Sequence, residues 1–201
     1  MKKNIIQIIC FLCLIFSYNS CSQNNKISDQ LDLEPISVNL ENTHKAYFAS
    51  GCFWCVEAIY ESLIGVTDVV SGYSGGNISN PTYNLVNTKL TGHAETIEVT
   101  YDPRKITFSN LVDVYFGSQN IEQINGQGPD MGPQYRSIIF YQNNQQEKII
   151  TEKISGIQEK FQVKVAAEVY PFRKFWIAET YHQDFKKNNK NHPYILNISD
   201  P

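Results

Sequence analysis

Ala46-Tyr47-Phe48-Ala49-Ser50-Gly51-Cys52-Phe53-Trp54-Cys55-Val56-Glu57-Ala58-Ile59-Tyr60-Glu61-Ser62-Leu63 is the stretch around which the chain is organised. An apolar run stops at a glycine and gives way to helical spacing, so a strand at Ala46–Ser50 turns into a helix at Phe53–Leu63. Cys52 then falls at the helix N-terminus, where unpaired backbone N–H groups and the helix dipole stabilise a thiolate. Cys55 stands three residues on, at a neighbouring position of the first turn, so the two sulfurs can reach each other. Dithiol oxidoreductases use this spacing, which lowers the pKa of the first thiol. The stretch reads as a redox site.

Working outward, Val66–Tyr73 is a second strand, and Gly75-Gly76-Asn77 with Asn80-Pro81 marks a turn-rich loop. Ala94–Tyr101 is a third strand, closed by Asp102-Pro103, and Phe108–Phe116 is a helix with Thr107 as its N-cap. A glycine-rich loop from Asn125 to Pro133 leads into a strand at Tyr135–Tyr141. A charged amphipathic helix from Asn143 to about Phe161, interrupted at Gly156, is followed by a strand at Val163–Tyr170. Residues Glu179 to Lys190 read as a helical tail. The order β-α-β-β-α-β is the split βαβ arrangement of a ferredoxin-like, two-layer α+β sandwich, here with extra C-terminal elements. Thioredoxin-like layering is the rival, and periodicity does not separate the two.

Ahead of this domain, Met1-Lys2-Lys3 is positive and Ile5 to Phe16 is mostly apolar. That is the length of a signal-peptide core and too short for a spanning helix. Ser20-Cys21 after such a core resembles the lipobox of bacterial lipoproteins, with Tyr18 where that pattern usually has Leu. Lipidation of Cys21 and ordinary cleavage near Ser20 both stay open. The organisation is then a signal peptide at 1–20, a lipid-anchor cysteine and flexible linker at 21–44, and a globular domain at 45–201. It implies export to the cell envelope or periplasm, with membrane contact through the lipid anchor only.

The chain has 201 residues, 42% hydrophobic and 12% aromatic, enough to bury one core without staples. Its net charge of -3, with no long basic run, argues against nucleic acid. Of its five cysteines, Cys10 and Cys13 lie in the leader, Cys21 at its end, and Cys52 and Cys55 in the domain. A secreted disulfide scaffold would spread them instead. Half a zinc site would need two more ligands, and His44, His93, His182 and His192 show no metal-ligand spacing. A buried pair of inert thiols is the plainer alternative.

Three further groups attract notice. Glu95 shares a strand face with Ile97, Val99 and Tyr101, while Glu98 points with the threonines. A carboxyl on an apolar face loses hydration, stays neutral and can donate a proton, unless it simply reaches water at the strand edge. Asp130 and Tyr135 lie in or beside the segment Gly126-Gln127-Gly128-Pro129-Asp130-Met131-Gly132-Pro133-Gln134-Tyr135-Arg136-Ser137. They could face a pocket, or Asp130 could only hold a turn. Tyr83 is equally ambiguous among twelve tyrosines, most of which must pack.

Gly51-Cys52-Phe53-Trp54, Tyr83-x-x-Val86, Thr91-Gly92-His93-Ala94-Glu95, Asp130-x-Gly132-x-Gln134-Tyr135-Arg136-Ser137 and Ala178-Glu179-x-Tyr181-His182-Gln183 together resemble the A-type peptide methionine sulfoxide reductases. The motifs run in the family's order from about Lys45 to His192.

The resemblance implies a catalytic domain at 45–201 that reduces methionine S-sulfoxide, free or in proteins, and so repairs oxidised proteins. Cys52 would attack the sulfoxide sulfur and Glu95 would protonate its oxygen, with hydrogen bonds from Tyr83 and Tyr135. Phe53 and Trp54 would cage the methyl group, and Asp130 would hold the network near the cysteine. Cys52 would end as a sulfenic acid. Many relatives resolve that species with cysteines near the C-terminus, but none follows Cys55 here, and the position after Trp54, often glycine in relatives, is itself Cys55. Cys55 would therefore form the disulfide, and an external thioredoxin-like dithiol would reduce it. No bound cofactor or metal is implied, and a monomer is expected. An envelope-anchored general thiol-disulfide oxidoreductase is the alternative function.

Overall fold

The computed structural model describes residues 42–199. The leader, Cys21 and most of the expected linker lie outside them. The chain runs as β1 (His44–Ala49), α1 (Phe53–Glu61), β2 (Val66–Ser74), α2 (Tyr83–Asn87), β3 (Ala94–Tyr101) and α3 (Phe108–Gly117). A small hairpin, β4 (Gly126–Gln127) with β5 (Asp130–Met131), comes before β6 (Ile138–Tyr141), α4 (Asn144–Phe161), β7 (Glu168–Pro171), β8 (Trp176–Ile177) and the short α5 (Phe185–Asn188).

Six strands form one sheet in the order β7-β6-β1-β3-β2-β8. Its middle four, β6-β1-β3-β2, pair antiparallel throughout, and β3 lies between β1 and β2. That is the split βαβ topology: the connection through α1 skips one strand width, and β3 returns to fill it. A thioredoxin-like start would have set the first two connected strands side by side. β7 adds to β6 in parallel through the α4 crossover, and β8 closes the far edge on β2.

Alternation along the strands divides the core. Ala46, Phe48, Ile97, Val99 and Tyr101 face α1 and α3 in the main cluster, together with Phe53, Tyr60, Leu111, Val112 and Tyr115. Tyr47, Ala49, Ala94, Ile138 and Phe140 face the other way, against Phe172 and Phe175. Tyr47 stacks on Phe172 with ring centroids 3.7 Å apart, so the irregular stretch after β7 serves as the cover for that face. Each such ring removed from water contributes about 1.5–3 kcal/mol. Two of its buried phenols are satisfied by backbone: Tyr60 Oη donates to Leu111 O and Tyr115 Oη to Ala49 O.

Several boundaries differ from expectation, each for a local reason. The turn-rich loop holds a short helix, α2, capped by Thr82, whose side chain accepts from Leu85 N. α4 runs through Gly156 without a break, because a Cβ there would meet open space and one exposed glycine costs only about 1 kcal/mol. The expected strand at Tyr135–Tyr141 begins only at Ile138, since Pro133–Tyr135 forms a 3-10 turn. The strand expected at Val163–Tyr170 shortens to Glu168–Pro171. The C-terminal tail is not one helix but a 3-10 turn (Thr180–His182), α5 and a π-helical turn (Ile195–Ser199), broken where Asp184 takes φ 51°.

Candidate active site

The turn from β1 into α1 brings the site together. Gly51 has φ +83°, and a Cβ on it would lie 2.6 Å from Gln127 Cβ, so both the turn and the loop packed on it require glycine. Cys52 is the N-cap, in extended backbone, and its carbonyl accepts from Cys55 N and Val56 N. The first free amide of the helix is not left for the Cys52 sulfur. Phe53 N donates to Glu95 Oε2 at 3.1 Å.

The two thiols differ in their surroundings. The Cys52 pKa is pushed well up by its hydrogen bond to Cys55, by burial and by the nearby Glu95. Cys55 is pulled down to about 6, chiefly because it accepts that hydrogen bond. Within the pair, Cys55 is the easier thiol to ionise and Cys52 the harder.

Glu95, 2% exposed, sits on β3 opposite Tyr73 of β2. Burial lifts its pKa to about 8, and Asp130 adds to this against the opposing bond from Phe53 N. At neutral pH it is a protonated acid hydrogen-bonded to the cysteine turn through Phe53 N.

An aromatic wall flanks it. Phe53 is buried, and Trp54 lies with its ring centroid 6.4 Å away. Trp54 stacks on Phe185 at 3.7 Å, and its Nε1 donates to His182 Nδ1 at 3.0 Å. His182 also touches Phe53 and Tyr83, with centroids 4.9 and 4.4 Å away. Burial lowers the His182 pKa, keeping it the neutral acceptor that Trp54 needs. Tyr83 opens α2, and Tyr135 ends the 3-10 turn; both phenols are pushed up by burial and by Glu95, so they remain donors.

The polar residues of the C-terminal motif hold this wall in place. Glu179 accepts from Tyr83 N through Oε1 and from the Tyr73 hydroxyl through Oε2, both at 2.9 Å. Gln183 clamps the Ser71 backbone, accepting from its N and donating to its O. The sequence motif assigns no role to Glu179, His182 and Gln183; their crowding within five residues of a non-periodic segment is the one signal it offers.

On the other flank, β5 carries Asp130, whose Oδ2 accepts from the Tyr194 hydroxyl at 2.5 Å. The Cys55 thiol is 4.0 Å from the Tyr194 hydroxyl oxygen, to which it donates. Tyr194 was missed altogether, and nothing in the sequence links it to Cys55 across 139 positions. Cys52, Cys55, Gln119, Gln127, Asp130 and Tyr194 line an open cleft of about 510 Å³. The structure thus brings Cys52, Phe53, Trp54, Cys55, Tyr83, Glu95, Asp130 and Tyr135 to one locality. Among the described residues no cluster of three or more His, Cys, Asp or Glu could hold a metal ion.

Comparison with known proteins gives consistent results. The profile of the family described as "Peptide methionine sulfoxide reductase" matches residues 44–200. The chain is 45% identical over 156 residues to the "Peptide methionine sulfoxide reductase MsrA" of Sulfolobus acidocaldarius, covering 78% of this chain and 89% of that one. Mxr1 from Saccharomyces cerevisiae in reduced form superposes with a TM-score of 0.72 at 31% identity, over 76% of this chain and 88% of that one. Mxr1 in complex with Trx2 has the same fold, with a TM-score of 0.50 at 22% identity, over 72% and 86% of the two chains.

Proposed function

Because the chain belongs to the peptide methionine sulfoxide reductase family, we propose that it reduces the S-sulfoxide of methionine, free or in proteins, using the residues gathered at the start of α1. The observation that carries the mechanism is the buried, protonated Glu95 held by Phe53 N beside the cysteine turn.

The sulfoxide methyl rests on Phe53 and Trp54, an apolar and slightly positive group on aromatic faces. Its oxygen points to Glu95 and the Tyr83 and Tyr135 hydroxyls. The Cys52 sulfur attacks the sulfoxide sulfur as its own proton passes to the Cys55 thiolate, and Glu95 gives its proton to the oxygen. The sulfur–oxygen bond of the substrate breaks as a new one forms to Cys52, so methionine leaves and the hydroxyl passes to Cys52 as a sulfenic acid. Cys55 then attacks Cys52. A sulfur–sulfur bond forms, the sulfenic S–O bond breaks, and hydroxide leaves as water with the Cys55 proton. A thioredoxin-like dithiol returns both thiols by exchange, itself becoming a disulfide, and Glu95 is reprotonated. Asp130 orders the polar flank. The cycle needs no bound cofactor.

The direct test is consumption of a racemic methyl sulfoxide with dithiothreitol as reductant. Loss of the S-epimer alone, with methionine formed, is expected. A protein that exchanges disulfides but leaves both epimers untouched would instead be a general thiol-disulfide oxidoreductase.

The remaining parts of the reading concern the segment before β1. Residues 1–20 act as a signal peptide, 21–44 as lipid-anchor cysteine and tether, and 45–201 as the catalytic domain, a monomer in the cell envelope. The apolar core of 5–16 and Cys21 support this. Membrane fractionation checks it: wild type should sediment with membranes and Cys21→Ser should not.

A further inference from the structure

We propose that Tyr194 is a positioning residue of the second half-reaction: its hydroxyl, fixed to the Asp130 carboxylate, holds the Cys55 sulfur in line with Cys52 for disulfide formation. The proposal rests on the reductase reading above, and on a geometry that reading does not use. Tyr194 arrives from the far end of the chain. Its backbone N donates to His192 Nδ1, its ring stands edge-on to Trp54 at 5.7 Å and 81°, and Ile195 beside it is buried. These contacts set the phenol between Asp130 Oδ2 at 2.5 Å and Cys55 Sγ at 4.0 Å.

A hydroxyl suits that place because it serves either protonation state of the sulfur. In the structure the phenol gives its one hydrogen to Asp130 and its oxygen accepts from the Cys55 thiol; toward a Cys55 thiolate the same hydrogen can turn to the sulfur instead. The groups facing Cys55 are Cys52 on its own turn, Tyr194 and Ser199 from the C-terminal stretch, and Lys186 on α5, with Glu95 acting from β3. Burial, with its hydrogen bond to Asp130, keeps the Tyr194 phenol protonated throughout. In the step it supports, the Cys55–Cys52 bond forms, the sulfenic S–O bond breaks, and hydroxide takes the Cys55 proton to leave as water.

Tyr194→Phe keeps the ring against Trp54 and removes the hydroxyl alone. In single turnover without reductant, the variant should still form its first methionine in full yield, with any change in that rate well below the change in the disulfide step. Disulfide formation should slow about tenfold, the effect of one hydrogen bond to a charged group. The lingering sulfenic acid should be captured by a 1,3-diketone, and the pH of half-maximal disulfide formation should move upward. Unchanged disulfide rate and pH profile would overturn the proposal while leaving the reductase reading intact. So would loss of methionine formation along with disulfide formation, which would make the hydroxyl merely structural. A wild-type enzyme that forms no methionine sinks both.

Discussion

One flank of the Cys52 sulfur is aromatic and buried, and the other is open and amide-rich. Toward Glu95 stand Phe53, Trp54, His182 and Tyr83; toward Cys55 stand Asp130, Tyr194, Gln119 and Gln127. The two flanks suit opposite tasks. Protonating a sulfoxide needs an acid kept neutral by poor hydration. Resolving a sulfenic acid needs a thiol that ionises and can be reached by a second protein. One helix turn supplies both because residues 53 and 54 point to the dry side while Cys55 points to the wet one.

Substitutions that disable one flank at a time test this division. The largest effect is expected from Cys55→Ser. Methionine from a single turnover should persist, while steady-state turnover with a thioredoxin-like reductant falls to background; unchanged turnover would remove Cys55 as the resolving thiol. Next comes Glu95→Gln, which should slow single-turnover methionine formation by about 10²–10⁴-fold while leaving an already formed disulfide reducible.

The pH dependence has a definite sign. Glu95 acts when protonated, so the first-half rate should fall as pH rises through about 8. Its folded pKa is raised, so the stability tied to its neutral form is complete below the ordinary carboxylate range and is lost as pH climbs toward 8. Glu57, buried on α1 and lifted to about 7 by desolvation, works in the same direction. Melting curves of wild type should therefore drop between pH 5 and 9 more than those of Glu95→Gln.

The smallest effect among these is His182→Ala. It leaves Trp54 Nε1 without its acceptor and loosens the wall that holds the methyl group. KM should rise about tenfold, in keeping with the 1–3 kcal/mol of an unpaired buried donor, with disulfide formation barely changed. A pure kcat effect would mean that His182 serves the chemistry and not the fit.

The first two thirds of this site were readable because their signals are local. A strand, a glycine and a helix fix Cys52, Phe53, Trp54 and Cys55 within a few residues. Period-two alternation put Glu95 on the apolar face of β3, and the structure finds it buried there. What could not be read was long-range partnership. Trp54 and His182 are 128 positions apart, and the C-terminal stretch has neither helical nor strand period to say which way its residues point. The partner of the Phe53 amide was hidden for a similar reason: only the fold shows that Glu95 claims it. Gly156 misled in the other direction, because a solvent-facing glycine looks like a break in sequence and is only a small local cost in a long helix.

Trp54 also has an optical consequence. The chain contains two tryptophans, and Trp176 sits in the edge strand β8. Trp54 adjoins Cys55 in the backbone and is packed among Phe185, His182 and Tyr194. Disulfides quench indole emission at close range and thiols do so less. The protein therefore carries its own lamp on the reaction, dimming as the Cys52–Cys55 bond closes and brightening as reductant opens it, over a steady background from Trp176. Stopped-flow fluorescence can follow the cycle without any added dye.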